Sequence, residues 1–114
     1  MNKIVIISDT HGMHKGLDNK FDLPPADFVI HCGDITGSGK EHVVKEFLDW
    51  YSKLDQYKYK IFIAGNHDRL FEDDRMIAKE LLSKYPNVIY LEDSGVELKG
   101  IKFWGIPVSR PFCN

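Results

Sequence analysis

Apolar runs that stop at short polar motifs constrain this chain more than any other feature. Ile4-Val5-Ile6-Ile7 runs into Ser8-Asp9-Thr10-His11, Phe28-Val29-Ile30 into His31-Cys32-Gly33-Asp34, and Ile61-Phe62-Ile63 into Ala64-Gly65-Asn66-His67-Asp68. Short β-branched runs of this kind are the strands of sheets covered on both faces. Between them lie segments with helical spacing. His42-Val43-Val44, Phe47-Leu48, Tyr51 and Leu54 recur every three or four residues and predict a helix from about Lys40 to Leu54, with Ser38 as a candidate cap. Asp73 or Asp74 is expected to cap a second helix with an apolar stripe at Met76-Ile77, Leu81-Leu82 and Tyr85, stopped by Pro86. Strands are expected at Lys3 to Ile7, Asp27 to His31, Tyr59 to Ala64 and Val88 to Leu91. Val96-Glu97-Leu98 and Ile101-Lys102-Phe103-Trp104 flank Lys99-Gly100 as a hairpin.

Strand–helix alternation implies parallel pairing with right-handed crossovers, and such sheets bind ligands at the carboxyl ends of their strands. All three polar motifs fall at carboxyl ends, so spacing alone predicts that they meet. In Asp9-Thr10-His11 a carboxylate and an imidazole are two residues apart and share a face. Oxygen and nitrogen donors of this kind suit hard or borderline divalent cations. Taken singly the motifs are ordinary turns, because Asp, Asn and Gly favour turns wherever they occur.

Composition excludes several classes. A chain of 114 residues, 43% hydrophobic and 28% charged, fits one globular domain rather than a disordered segment. The net charge of −2 carries no basic block, so an obligate nucleic-acid partner is not expected. No window has the length of a membrane span and no leader is recognisable, which makes a cytoplasmic location the expectation. With cysteines only at positions 32 and 113, a disulfide framework is not expected, and Cys32 reads as a buried structural thiol.

The ordered set Asp-x-His, Gly-Asp and Gly-Asn-His-Asp resembles the calcineurin-like metallophosphoesterase superfamily across the chain. Val29 to Thr36 and Ile63 to His67 further resemble its small metallophosphoesterase-domain branch, which is similar to nucleotide phosphodiesterases. The resemblance implies an α/β fold, the N-terminal part of an α/β/β/α sandwich, with the hairpin at 96–104 opening the second sheet. It implies hydrolysis of a phosphomonoester or phosphodiester by a hydroxide shared between two divalent cations (Mn, Fe, Zn or Ni). It assigns Asp9, His11 and Asp34 to the first metal and Asp34 and Asn66 to the second. His67 would donate a proton or contact the phosphate, and Asp68 would accept from its imidazole. The substrate would be a small phosphate ester, such as a nucleotide.

Two family elements, a lone His and a Gly-His-x-His, have no counterpart after Trp104, and His67 is the last histidine. The expectation is therefore a single domain over residues 1–114, truncated at its carboxyl end, with poor metal occupancy, weak turnover and self-association through the unpartnered hairpin. A non-catalytic metal- or phosphate-binding module is the competing reading.

Other polar and aromatic residues receive structural readings. His14 is expected in a solvated loop with Gly16, Asp18 and Asn19, His31 as a satisfied near-core histidine, and His42 on the surface. Trp50, Tyr51 and Tyr57 read as core or boundary aromatics, and Lys58 and Lys60 as the solvent-facing side of a strand.

Overall fold

A computed structural model describes residues 3–10, 12, 23–37 and 39–107. Among the described residues nine elements follow in chain order: β1 (Ile4–Ile7), β2 (Ala26–His31), α1 (Glu41–Ser52), β3 (Tyr57–Phe62), α2 (Leu70–Asp73), α3 (Arg75–Leu82), β4 (Val88–Tyr90), β5 (Ser94–Leu98) and β6 (Ile101–Gly105). The first four strands form one parallel sheet in the order β1-β2-β3-β4, and β5 and β6 form an antiparallel hairpin. The α/β architecture with the start of a second sheet is thus as expected. The hairpin opens two residues earlier, at Ser94, and runs to Gly105. Among the described residues no helix is long and apolar enough to cross a membrane.

Register aligns the motifs. Ile7 pairs with His31 and His31 with Phe62, so β1, β2 and β3 end level with one another. Alternation then splits the side chains between two cores. On one side Val29, Phe62 and Val88 pack against α1 and α3. Phe47 of α1 is central there, with its ring 4.8 Å from Tyr51, 5.6 Å from Phe62 and 5.2 Å from His31. The Tyr51 hydroxyl donates to Ile61 O (2.6 Å) and lies 3.2 Å from Val29 O, tying α1 to β2 and β3. On the other side Phe28, Ile61 and Leu91 meet Val96, Leu98, Ile101 and Phe103 of the hairpin. Ile4 and Ile6 share the Phe28 face, yet the hairpin leaves them 42% and 66% exposed, and Trp104 is 67% exposed. Each large apolar side chain fully buried in these cores contributes about 1.5–3 kcal/mol.

Helix ends differ somewhat from expectation. Lys40, rather than Ser38, is the N-cap residue of α1, and it makes no side-chain cap bond; Ser38 lies outside the described residues, as do His14, Gly16, Asp18, Asn19 and Cys113. Asp74 caps α3 by accepting from Ile77 N (3.3 Å), one of the two caps foreseen. α3 ends at Leu82, with Tyr85 held beyond it in a turn by its N–H on Leu82 O. The single turn α2 was not foreseen, since four residues are too few to show a period.

Two surface expectations are overturned. Lys60 is 5% exposed rather than solvent-facing, because β3 is interior and its neighbours Val29 and Val88 crowd the same face. Its apolar stem is what that face buries. Cys32 is exposed rather than buried, since the chain leaves the sheet at His31 and turns outward. Desolvation, and then the charge of Asp9, pushes its thiol up, away from a reactive thiolate. His31, His42 and Tyr57 are placed as foreseen: buried, exposed and buried.

Candidate metal centre

Both aspartates at the strand ends sit in left-handed backbone, Asp9 and Asp34 each at φ 56°. Asp tolerates this region better than most residues, but left-handed non-glycine backbone still costs on the order of 1 kcal/mol and is held by its surroundings. The surroundings here are specific. Asp9 N donates to Gly33 O (3.0 Å) and Gly12 N to Ile35 O (2.8 Å), so the first turn is laced to the second. Gly33 itself is left-handed (φ 106°), and a Cβ there would lie 3.0 Å from Gly65 N and Cα. At Gly65 a Cβ would lie 2.3 Å from both Asp34 N and Asp34 Oδ1. The two glycines let the second and third turns touch backbone to backbone.

That contact seats the Asp34 carboxylate. Its Oδ1 accepts from His67 N (3.0 Å), which places the third motif directly on the aspartate of the second. Asn66, between Gly65 and His67, is exposed. Asp9 is exposed, and its Oδ2 accepts from the Ser8 hydroxyl (2.7 Å). Asp9, Asp34, Asn66 and His67 are therefore gathered at one sheet edge, as spacing predicts. His11 lies outside the described residues, and among the described residues no three His, Cys, Asp or Glu side chains cluster. The oxygen donors of Asp9, Asp34 and Asn66 fit a hard divalent cation by kind.

Asp68 does something other than expected. Its Oδ2 accepts from Gly65 N (2.8 Å) and Ile35 N (3.0 Å), and its Oδ1 accepts from Thr36 N (2.8 Å) and the Thr36 hydroxyl (2.9 Å). It does not bond the His67 ring. A buried carboxylate seeks donors, and three residues of two converging turns offer their N–H groups where an imidazole would have to reach inward. Burial pushes its carboxyl above the ordinary value, while these bonds hold it back. The His67 ring is oriented instead by Gly37, whose carbonyl accepts from Nδ1 (3.1 Å).

Sequence reasoning missed the members that hold the turns: Thr36, Gly37 and Gly39. The Thr36 hydroxyl accepts from Gly39 N (2.8 Å) and lies 3.1 Å from His67 O. A Cβ on Gly39 would lie 2.3 Å from Arg69 N, so a glycine is needed where the second turn passes under the third. Thr36 and Gly37 follow Asp34 closely, but nothing in their spacing reveals a partner 30 or 31 residues away.

The chain matches the calcineurin-like phosphoesterase family over residues 2–111. It belongs to that family. Metallophosphoesterase domain-containing protein 1 of Homo sapiens is 34% identical over 125 residues, covering 92% of this chain and 37% of that protein. A UPF0046 protein of Caenorhabditis elegans is 36% identical over 114 residues, covering 90% of this chain and 38% of its own length. A probable metallophosphoesterase of Mycoplasma pneumoniae is 31% identical over 80 residues, covering 70% of this chain and 42% of its own length. The chain spans about two-fifths of the length of these relatives. Membership supports metal-dependent phosphoesterase chemistry at the level of the family, whose members generally use divalent metals.

Proposed function

We propose that the protein hydrolyses a small phosphate ester, a nucleotide among the candidates, with Asp9, His11, Asp34 and Asn66 holding two divalent cations. One observation carries the reading: two left-handed aspartates at the ends of adjacent parallel strands, laced by the Asp9 N–Gly33 O bond, with His67 N on Asp34 Oδ1. Divalent cations bound there would offset phosphate charge and acidify an attacking water. The chain's own groups have distinct tasks. Asp34 Oδ1 is anchored by a backbone amide, which fixes the carboxylate plane. His67, steadied by Gly37 O through Nδ1, is assigned proton exchange with the leaving oxygen at Nε2.

The test is turnover of bis(p-nitrophenyl) phosphate by the full-length protein with added manganese. Asp34→Asn is expected to lose at least about 100-fold, since it removes a charge that would help hold both cations. Equal turnover in excess chelator overturns the proposal. Manganese binding without turnover of any mono- or diester favours the non-catalytic module.

A further inference from the structure

His31 ends β2 with no exposed surface, at the centre of the sheet edge that carries the candidate site. Each of its ring nitrogens has a polar neighbour. Gly33 N lies 3.2 Å from Nδ1, and the Thr10 hydroxyl lies 3.0 Å from Nε2. A backbone N–H can only donate, so Nδ1 must accept and carries no proton. The neutral ring then has its hydrogen on Nε2, directed at Thr10 Oγ1. A ring protonated on both nitrogens would set two donors against each other at Gly33. The bonding pattern therefore admits one tautomer of one charge state.

The two neighbours matter because of what adjoins them. Thr10 sits between Asp9 and His11. Gly33 precedes Asp34, and its carbonyl accepts from Asp9 N. Gly33 is also the left-handed residue that packs on Gly65. One imidazole thus reaches the turns of both Asp9 and Asp34, and Phe47 closes the apolar side edge-on at 84°. A merely satisfied core histidine could take its bonds from any nearby backbone. This one joins the two ligand-bearing turns through both ring nitrogens.

We infer that His31 is a positioning residue of the metal centre: as the Nε2–H tautomer it clamps the Asp9 turn to the Asp34 turn and sets the spacing of the two carboxylates. The inference rests on the metal reading above, but half of its test does not.

Three substitutions separate the links. His31→Asn keeps an acceptor near Nδ1 and loses the reach to Thr10. His31→Gln keeps a donor near Nε2 and weakens the hold on Gly33. His31→Leu loses both. Manganese alone is titrated calorimetrically into each folded protein, well below its melting temperature. His31→Leu is expected to weaken affinity at least tenfold, in the range that partners of ligand-bearing groups command, with Asn and Gln recovering part of the loss. Phe47→Leu is the control. It lowers the melting temperature while leaving both polar links, so manganese affinity should remain within about twofold. If His31→Leu binds manganese as wild type does, or if Phe47→Leu weakens binding as much, the clamp is refuted and His31 is only core. Independently of any metal, long-range proton–nitrogen correlation should show a neutral ring protonated on Nε2, and His31→Leu should shift the amide signals of Asp9 and Asp34. An Nδ1–H ring, or unmoved Asp9 and Asp34 signals, refutes the clamp. A wild type that binds no manganese but passes both NMR tests refutes the metal reading while leaving the clamp in place.

Discussion

Replacing Asp68 by Asn should destabilise the protein far more than an isosteric change usually does. The carboxylate accepts four hydrogen bonds: Gly65 N and Ile35 N on Oδ2, Thr36 N and the Thr36 hydroxyl on Oδ1. An amide retains one acceptor oxygen and turns an NH2 group toward the other pair. The cheaper orientation keeps the oxygen on Gly65 and Ile35, because the Thr36 hydroxyl can rotate and accept, whereas Thr36 N cannot. One buried N–H is then opposed by a donor, and a charge-assisted bond is lost. With about 1–3 kcal/mol for an orphaned buried donor, the expected cost is about 2–3 kcal/mol. For a domain of this size that is a fall of roughly 10–15 °C in melting temperature. Asp68→Ala, which orphans all three N–H groups, should cost about 3–5 kcal/mol, the range for breaking a buried charged partner. Circular-dichroism melts and urea titrations at neutral pH measure both. The pH dependence has a definite sign. Burial raises the folded-state pKa above 3.8, so the protonation-linked part of its stabilisation is fully present below that value and is lost as pH rises through the folded pKa, which leaves the hydrogen bonds as the part measured at neutral pH. The gap between wild type and Asp68→Asn should therefore narrow from acid toward neutral pH. An Asp68→Asn variant within about 0.5 kcal/mol of wild type at neutral pH would refute the four-bond accounting, because a surface-like substitution has that effect.

Gly65→Ala should displace Asp34, since its Cβ would lie 2.3 Å from Asp34 N and Oδ1, and backbone cannot yield as a flexible side chain can. The expected result is about 1–3 kcal/mol of lost stability with a manganese affinity at least tenfold weaker; wild-type behaviour on both counts would refute the backbone-contact argument. Lys99 Nζ donates to Asp27 Oδ1 (2.9 Å) and pins the hairpin tip to the start of β2. That bond, with the Lys3 N–H on the same carboxylate, lowers the Asp27 pKa below 3.8, so its stabilisation is present above 3.8 and is lost as pH falls through the folded value. Lys99→Ala should melt earlier than wild type at pH 7 and at the same temperature near roughly pH 2, and a difference that persists undiminished in acid would refute the assignment.

The parallel sheet was legible because β-branched runs and helical spacing are local signals, each read within a dozen residues. The gathering of Asp9, Asp34 and Asn66 at one edge was legible for a topological reason, since parallel strands bring their carboxyl ends together. What holds those donors was not. Asp68 sits beside His67 in sequence, which suggests a local bond, yet its partners Ile35 and Thr36 are 33 and 32 residues away. Lys60 misled for a related reason: alternation reports which residues share a face, not whether another layer covers it. Cys32 shows the reverse error, because a residue continuing an apolar run can still lie past the end of its strand.

A division of labour follows from where the strain sits. Asp9 and Asn66 are exposed and Asp34 is half-buried, and both aspartates occupy left-handed backbone. The security comes from behind, through His31 on Gly33, Asp68 on Gly65 and Thr36, and the glycine contact between the second and third turns. These supports are buried and nearly solvent-free, where a hydrogen bond is stronger and an orphaned group costs more. Substitution of a donor should therefore alter chemistry while leaving the fold largely intact. Substitution of a support should alter both, with the loss of metal affinity set by how far a turn can drift once its bond is gone. The ratio of the two losses, residue by residue, separates supports from donors without reference to any substrate.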